Sequence, residues 1–315
     1  MTHPMKVAVV GGGTWGRALA AAAARAGSDV VLITRREGAP PAGVRATTAL
    51  GDASAARLVF LAVPSAHAAS AARDLGAHLD GGHFLVHGVR GLVGDELRTI
   101  SDVVREETPV RRVGALGGPV LAEELLAGAP SLMVVGSRFR EVNDAVRAAL
   151  GGASLRLYAT RDLTGLEWAS ALTACLAIAI GYARGARLGP GLVAAFTTRA
   201  VHEAARVAVA AGGESHTLLG LAGLGDLLAA VGQEGRPEVV LGLALARGAS
   251  LAEATAEAGH QHIEALSLVP VLHAWATRHD VRAPILGALV EGMLGGRSRD
   301  EMIAALMTAP LGENE

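Results

Sequence analysis

The sixteen residues from Met5 to Ala20, Met-Lys-Val-Ala-Val-Val-Gly-Gly-Gly-Thr-Trp-Gly-Arg-Ala-Leu-Ala, restrict the fold more than any other stretch. An uncharged β-branched run at 7–10 breaks at Gly11 and enters an Ala/Leu-rich segment, the order of a buried parallel strand, a tight loop and a packed helix. The spacing Gly11-x-Gly13-x-x-Gly16 gives each glycine a task. Gly11 permits the sharp turn, Gly13 lets the backbone approach a pyrophosphate, and Gly16 lets the helix lie close to the strand. Thr14 and Trp15 open that helix, whose unpaired N–H groups and positive dipole end favour an anion. In a chain with 41 glycines the bare pattern says little. Its place, after one strand and about a dozen residues before a second at Asp29–Ile33, marks it as a dinucleotide site.

Composition narrows what surrounds this site. A chain of 315 residues more naturally makes two domains than one. With 51% hydrophobic and only 3% aromatic residues, its cores are expected to be Ala, Val and Leu. A formal charge of −2 argues against nucleic acid or an anionic membrane surface as partner. Cys175 is the sole cysteine, so an internal disulfide and a Cys-based zinc cluster are excluded. His260-x-His262 lacks an evident third ligand, and no metal is expected. The N-terminus has no basic region ahead of an apolar run, so a cytoplasmic protein is expected. The longest charge-free apolar run, 168–183, reads as a central buried helix and not a membrane span. Lys6 is the sole lysine and lies in the first strand, at the end away from the glycine loop. Chemistry based on a lysine acid, a Schiff base or a lysine phosphate clamp is therefore not expected.

The second strand, 30–34, ends in Arg35-Arg36, where arginine suits a ribose 2′-phosphate and an acidic residue would suit free hydroxyls, so the cofactor leans to NADP over NAD. A third strand at 58–63 is stopped by Pro64-Ser65 and followed by an Ala-rich helix through Ala77. A fourth, 84–88, leads to Val89-Arg90-Gly91-Leu92. Residues at the carboxyl ends of parallel strands face the ligand crevice, which makes Pro64, Ser65 and Arg90 candidate contacts. Another strand at 112–116 runs into Gly117-Gly118-Pro119 and a helix near 121–126. Strands at 131–135 and 155–158 flank a helix at Arg140–Leu150. Beyond about residue 160 only helical segments remain, at 163–184, 191–212, 225–231, 237–247, 250–258, 261–279, 284–294 and 298–307. The expected fold is α/β: a doubly wound Rossmann-type domain at 1–160, then an all-α domain at 161–315 for substrate and dimerisation, with the reaction where they meet. The long Ala/Leu helices of the second half point to a homodimer.

Five motifs, in order, resemble one family. They are Gly-Gly-Gly-Thr-Trp-Gly-Arg-Ala-Leu-Ala (11–20), Val63-Pro64-Ser65, Arg90-Gly91-Leu92, Gly118-Pro119 with Ala122-Glu-Glu124-Leu125 and Ala127-Gly128-x-Pro130, and Leu221-Ala-Gly-Leu-Gly-Asp226-Leu227. Together they resemble the bacterial NAD(P)-dependent sn-glycerol-3-phosphate dehydrogenases over nearly the whole chain. The resemblance implies hydride transfer between NAD(P)H and dihydroxyacetone phosphate, a small phosphorylated carbonyl substrate, giving glycerol 3-phosphate for phospholipid synthesis.

Carried over residue by residue, the resemblance is uneven. The cofactor set falls on Gly11, Gly13, Thr14, Trp15, Gly16, Arg35, Arg36, Pro64, Arg90, Ala122 and Glu264, the last after a one-residue gap. Asp226 and Gly118 match the family's catalytic aspartate and a substrate-loop glycine. The family's catalytic Lys-Asn falls on Thr173-Ala174, and a hydroxyl lacks the charge and acidity to protonate a carbonyl as an ammonium does. A second family lysine becomes Arg90, and a family threonine becomes Ala230. The Ser-Arg-Asn that grips the substrate phosphate falls on Arg236-Pro237-Glu238, or a one-residue slip restores Arg236 to the arginine position. The expectation is an oxidoreductase fold with an intact cofactor site and doubtful activity on dihydroxyacetone phosphate. The alternatives are a reductase of another small carbonyl or a non-catalytic NADP-binding paralogue.

Overall fold

The computed structural model describes residues 4–233, 235–259, 263–294 and 301. They form two compact units, one from Met1–Val93 with Arg98–Glu167, the other from Gly94–Leu97 with Trp168–Glu315.

The first unit runs β1 (Lys6–Val10), α1 (Thr14–Arg25), β2 (Asp29–Ile33), β3 (Val44–Thr47), β4 (Leu58–Leu61), α2 (Ala68–Gly76), β5 (Phe84–His87), α3 (Ile100–Glu107), β6 (Arg112–Gly117), α4 (Ala122–Ala127), β7 (Ser131–Gly136), α5 (Arg140–Leu150) and β8 (Leu155–Thr160). One eight-stranded sheet has the order β3-β2-β1-β4-β5-β6-β7-β8. Chain order reverses at β1, whose neighbours are β2 and β4, both parallel to it. The carboxyl ends of β1 and β4 therefore flank the switch point where such sheets place ligands.

Period-2 alternation sorts each strand between two cores. Val7, Val9, Val30, Leu32, Leu58, Phe60, Phe84 and Val86 face the alanines of α1 and the apolar stripe of α5. Ala8, Val10, Val31, Ile33, Val59, Leu61 and Leu85 face Ala72 and Leu75 of α2 and Ile100 and Val104 of α3. Each fully buried Val, Leu or Phe stabilises the unit by about 1.5–3 kcal/mol relative to exposure. Buried on both faces, these strands read as the continuous apolar runs seen in the sequence.

Three features depart from the sequence expectation. Between the second and third expected strands lies β3, an edge strand whose Val-Arg-Ala-Thr buries only Val44 and so lacks a strand's apolar signature. Helix α3 was not foreseen, although Thr99 caps it by accepting from the Asp102 N–H and Ile100, Val103 and Val104 make a helical stripe. β7 pairs antiparallel with β6, so β7 and β8 run against the other six strands. Apolar content records that a strand is buried but not its direction.

The second unit contains α6 (Leu163–Gly185, whose first residues belong to the first unit), α7 (Pro190–Ala210), α8 (Ser215–Leu219), a π turn at Leu221–Gly225, α9 (Asp226–Gly232), α10 (Pro237–Ala246), α11 (Leu251–Glu257), α12 (Glu264–Arg278) and α13 (Pro284–Leu294). No strand lies in this unit among its described residues. The segment expected at 298–307 lies outside the described residues, 301 excepted. Two stretches, Leu163–Gly185 and Ser215–Gly232, are long and apolar enough to cross a membrane by composition. In the first, 94% of the most apolar window is buried inside the protein, as a core helix requires. α10 crosses α6 at glycines: a Cβ on Gly242 would lie 2.0 Å from the Ile178 carbonyl oxygen, and one on Gly181 2.3 Å from that of Val239. The buried carboxylate of Glu203 on α7 accepts from the N–H groups of Ile285 and Leu286 at 2.8 Å, capping α13.

Candidate functional site

The glycine loop behaves as its spacing predicts, for reasons visible atom by atom. Gly11 has φ +117°, and a Cβ there would lie 2.1 Å from the carbonyl oxygen of Ala62 at the end of β4. A Cβ on Gly16 would lie 1.8 Å from the Gly11 carbonyl oxygen. At Gly13 nothing stands within 4 Å of the same position. Two glycines thus close the turn and the third faces open space. Gly13 is also the N-cap of α1 and supplies no side-chain cap, so the first N–H groups of the helix point out with no side chain from the cap to receive them. Trp15 folds under Gly88, where a Cβ would lie 2.0 Å from Nε1, and that buried N–H makes no hydrogen bond among the described residues. Exposed backbone donors, room in front of Gly13 and an unmatched indole N–H are what an oxygen-rich pyrophosphate ligand would use.

The other first-unit candidates stand just past strands or at helix starts. Arg35 and Arg36 are exposed just past the carboxyl end of β2, and the Arg36 N–H donates to Thr34 Oγ1 at 3.0 Å. Pro64 is exposed and begins the turn into α2, three residues beyond the end of β4. Arg90 is half-buried two residues past Gly88. Gly118 is buried with φ +95° after β6, and Ala122 opens α4.

His87, at the end of β5, is locked. Its Nε2–H donates to Glu167 Oε1 at 2.9 Å, the Val89 N–H approaches Nδ1 at 3.4 Å, and the Ser101 N–H donates to the same carboxylate oxygen at 2.8 Å. With both ring nitrogens engaged and 1% of the residue exposed, His87 fastens α6 and α3 to the sheet instead of facing a ligand.

In the second unit three further candidates meet. Thr173, on α6, is fully buried, and its Oγ1–H donates to Asp226 Oδ2 at 2.6 Å. Arg236 Nη1 donates to Asp226 Oδ1 at 3.2 Å and Nη2 to Oδ2 at 3.5 Å. Glu238, which the resemblance sets on the last residue of the phosphate grip, meets the arginine: Arg236 Nε donates to Glu238 Oε2 at 3.2 Å. Burial works against the charge on Arg236, but the carboxylates of Asp226 and Glu238 outweigh it and hold the guanidinium above its ordinary range.

Local backbone explains why these side chains converge. The Leu-Ala-Gly-Leu-Gly-Asp motif forms the π turn, closed by the Gly225 N–H donating to the Gly220 carbonyl at 3.0 Å. Gly223 is required there, since a Cβ would lie 2.0 Å from the Leu218 oxygen. Such turns rotate the following helix, and here Asp226, first residue of α9, is aimed inward with 1% exposed. Arg236 and Pro237 cap and start α10, with Glu238 in its first turn, where the helix dipole favours a carboxylate. Ala230 and Ala174 are buried apolar neighbours without polar reach. Glu264 opens α12; burial pushes the nearby Cys175 thiol up, and the charges of Glu238 and Glu264 add to that. Among the described residues no three His, Cys, Asp or Glu side chains gather as a metal site; His260 and His262 lie outside them.

Comparison with known proteins identifies the family. Residues 6–40 and 38–143 match the N-terminal model of NAD-dependent glycerol-3-phosphate dehydrogenase, and residues 162–304 match its C-terminal model. The chain is 31% identical over 323 residues to the glycerol-3-phosphate dehydrogenase [NAD(P)+] of Parvibaculum lavamentivorans, covering 97% of each chain. It is 31% identical over 328 residues to that of Brucella ovis, covering 97% of this chain and 98% of the other. The crystal structure of glycerol-3-phosphate dehydrogenase from Coxiella burnetii superposes with a TM-score of 0.88 at 27% identity, covering 97% of this chain and 99% of that one. The chain therefore belongs to the NAD(P)-dependent glycerol-3-phosphate dehydrogenase family, an oxidoreductase family whose cofactor is NAD or NADP.

Proposed function

We propose that this chain is a cytoplasmic, homodimeric member of the family that binds NADP in preference to NAD and reduces dihydroxyacetone phosphate very slowly or not at all. Gly11, Gly13, Thr14, Trp15 and Gly16 would hold the pyrophosphate. Arg35 and Arg36 would meet the 2′-phosphate, and Pro64, Arg90, Ala122 and Glu264 complete the cofactor set. Bound NAD(P)H supplies a hydride. Gly118 and Arg236 are the substrate-side candidates, with Asp226 and Arg90 as the charged groups of the reaction. The exposed Leu192, Val209, Leu219 and Leu228 of the second unit support self-association, which light scattering on a sizing column tests.

The carrying observation is Thr173. At the position the resemblance assigns to the family's lysine stands a hydroxyl whose proton is already committed to Asp226 at 2.6 Å in a fully buried site. It cannot deliver a proton to a carbonyl oxygen or balance developing negative charge as an ammonium does. One such electrostatic donor is worth roughly 10²–10³ in rate.

An NADPH-oxidation assay with dihydroxyacetone phosphate, run beside a fluorescence titration of NADPH, tests the reading. We expect NADPH binding with turnover at least about 100-fold below a lysine-bearing relative. Ordinary turnover overturns it. Thr173→Lys, which returns the ammonium, is expected to raise kcat. A second reading, reduction of a different small carbonyl, is favoured by the carboxylates gathered on Arg236, and a screen of small ketones and aldehydes separates it from a purely binding role.

A further inference from the structure

The guanidinium of Arg236 presents two edges that can grip an oxyanion, one formed by Nη1 and Nη2, the other along Nε. An arginine that recognises a phosphate leaves one of them to the ligand. Here the first meets Asp226, with Nη1–Oδ1 at 3.2 Å and Nη2–Oδ2 at 3.5 Å. Nη1 also lies 3.4 Å from the Asp226 carbonyl oxygen. The Nε edge meets Glu238 Oε2 at 3.2 Å. The side chains of Arg236, Asp226 and Glu238 are 7%, 2% and 15% exposed, so water does little to screen them. Two carboxylates on one guanidinium leave the cluster with a net negative charge. Thr173, also bonded to Asp226, brings none to offset it.

We propose that Glu238 is a specificity-determining residue: an internal anion occupying the edge of Arg236 that would otherwise receive a phosphate, so that the site takes a small uncharged carbonyl or alcohol and rejects its phosphate ester. The proposal rests on the reading above that the chain binds NAD(P)H and works poorly on dihydroxyacetone phosphate. An entering dianion would have to break the Arg236–Glu238 contact and then sit between two carboxylates. An uncharged polyol meets no such repulsion. The placement of Glu238 is built in, because Pro237 starts α10 directly after Arg236 and leaves Glu238 in the first turn, held by the helix dipole.

Calorimetric titration of the full chain saturated with NADP, using sn-glycerol 3-phosphate and, separately, glycerol, tests this. Glu238→Gln keeps the shape and removes the charge. It is expected to bind sn-glycerol 3-phosphate at least about tenfold more tightly than the wild type, with glycerol unchanged. Glu238→Ala provides a second variant if the glutamine form does not fold, with the same expected direction. Equal affinity for the phosphate ester in wild type and variant overturns the proposal, and so does a wild type that binds the ester more tightly than glycerol. The NADPH titration keeps the two levels apart. Failure to bind cofactor defeats the functional reading, whereas cofactor binding with no gain in the Glu238 variants defeats only the role of Glu238.

Discussion

The two polar centres of this chain deal with charge in opposite ways. At Gly11–Gly16 the donors are backbone N–H groups at the head of α1, the side chains have been removed, and open space remains in front of Gly13. Around Asp226 the donors and acceptors are side chains, and each is answered by another side chain from within the unit. The difference follows from the energy of burial. Helix-end N–H groups left at a surface are satisfied by water until a ligand displaces it. A guanidinium and two carboxylates taken out of water have no such recourse and must be paired internally, or the unit is destabilised by several kcal/mol. A backbone cradle can wait for its ligand, whereas a buried charged cluster has to be complete without one.

That contrast can be broken at three places, in decreasing order of effect. Arg236→Gln leaves the buried carboxylates of Asp226 and Glu238 without their shared cation and should destabilise the chain by about 3–5 kcal/mol, read as a lowered denaturation midpoint. A loss below about 1 kcal/mol would mean that the cluster is not a mutually dependent unit. In the cradle, Gly16→Ala drives a methyl into the Gly11 carbonyl and should cost about 1–3 kcal/mol as well as cofactor binding. Gly13→Ala meets nothing within 4 Å and has φ −70°, so its midpoint should stay put while NADPH affinity falls by about tenfold. Equal stability losses in the two glycine variants would contradict the division into closing and ligand-facing glycines.

The smallest effect is expected at a surface site that belongs to neither centre. The Ser250 hydroxyl and backbone N–H both donate to the Glu253 carboxylate and hold it below its ordinary value of 4.5. Because the folded value is the lower one, the stabilisation is complete above about pH 4.5 and is lost as the pH falls through the depressed value. Melting curves of the wild type and Glu253→Gln should therefore differ slightly at pH 6 and converge in acid. A gap that widens in acid would reverse the sign.

How much of this was legible in the sequence also divides along the same line. The cradle was readable because each glycine answers a demand made by nearby backbone, and chain spacing alone records such demands. The motif ending in Asp226 was legible only as part of the resemblance to the family; the turn that Gly223 permits became visible in the fold. Contacts between distant side chains left no such trace. Thr173 and Asp226 stand 53 residues apart and His87 and Glu167 stand 80 apart, and nothing in either local pattern names the partner. Glu238 is the instructive case. The resemblance sets it on the last residue of the phosphate grip, and no local pattern tells that its carboxylate takes the Nε edge of Arg236. Strand direction after β6 was hidden as well, because apolar content is the same either way.

The π turn at Leu221–Gly225 carries one more consequence. Its closing bond reaches five residues back, from the Gly225 N–H to the Gly220 carbonyl, and the aspartate leaves it already directed at Thr173 and Arg236. Room for that wide loop depends on Gly223, where a methyl would press on the Leu218 carbonyl oxygen. A side chain added at Gly223 would therefore disturb the aim of Asp226 while leaving every charged group of the cluster in the sequence.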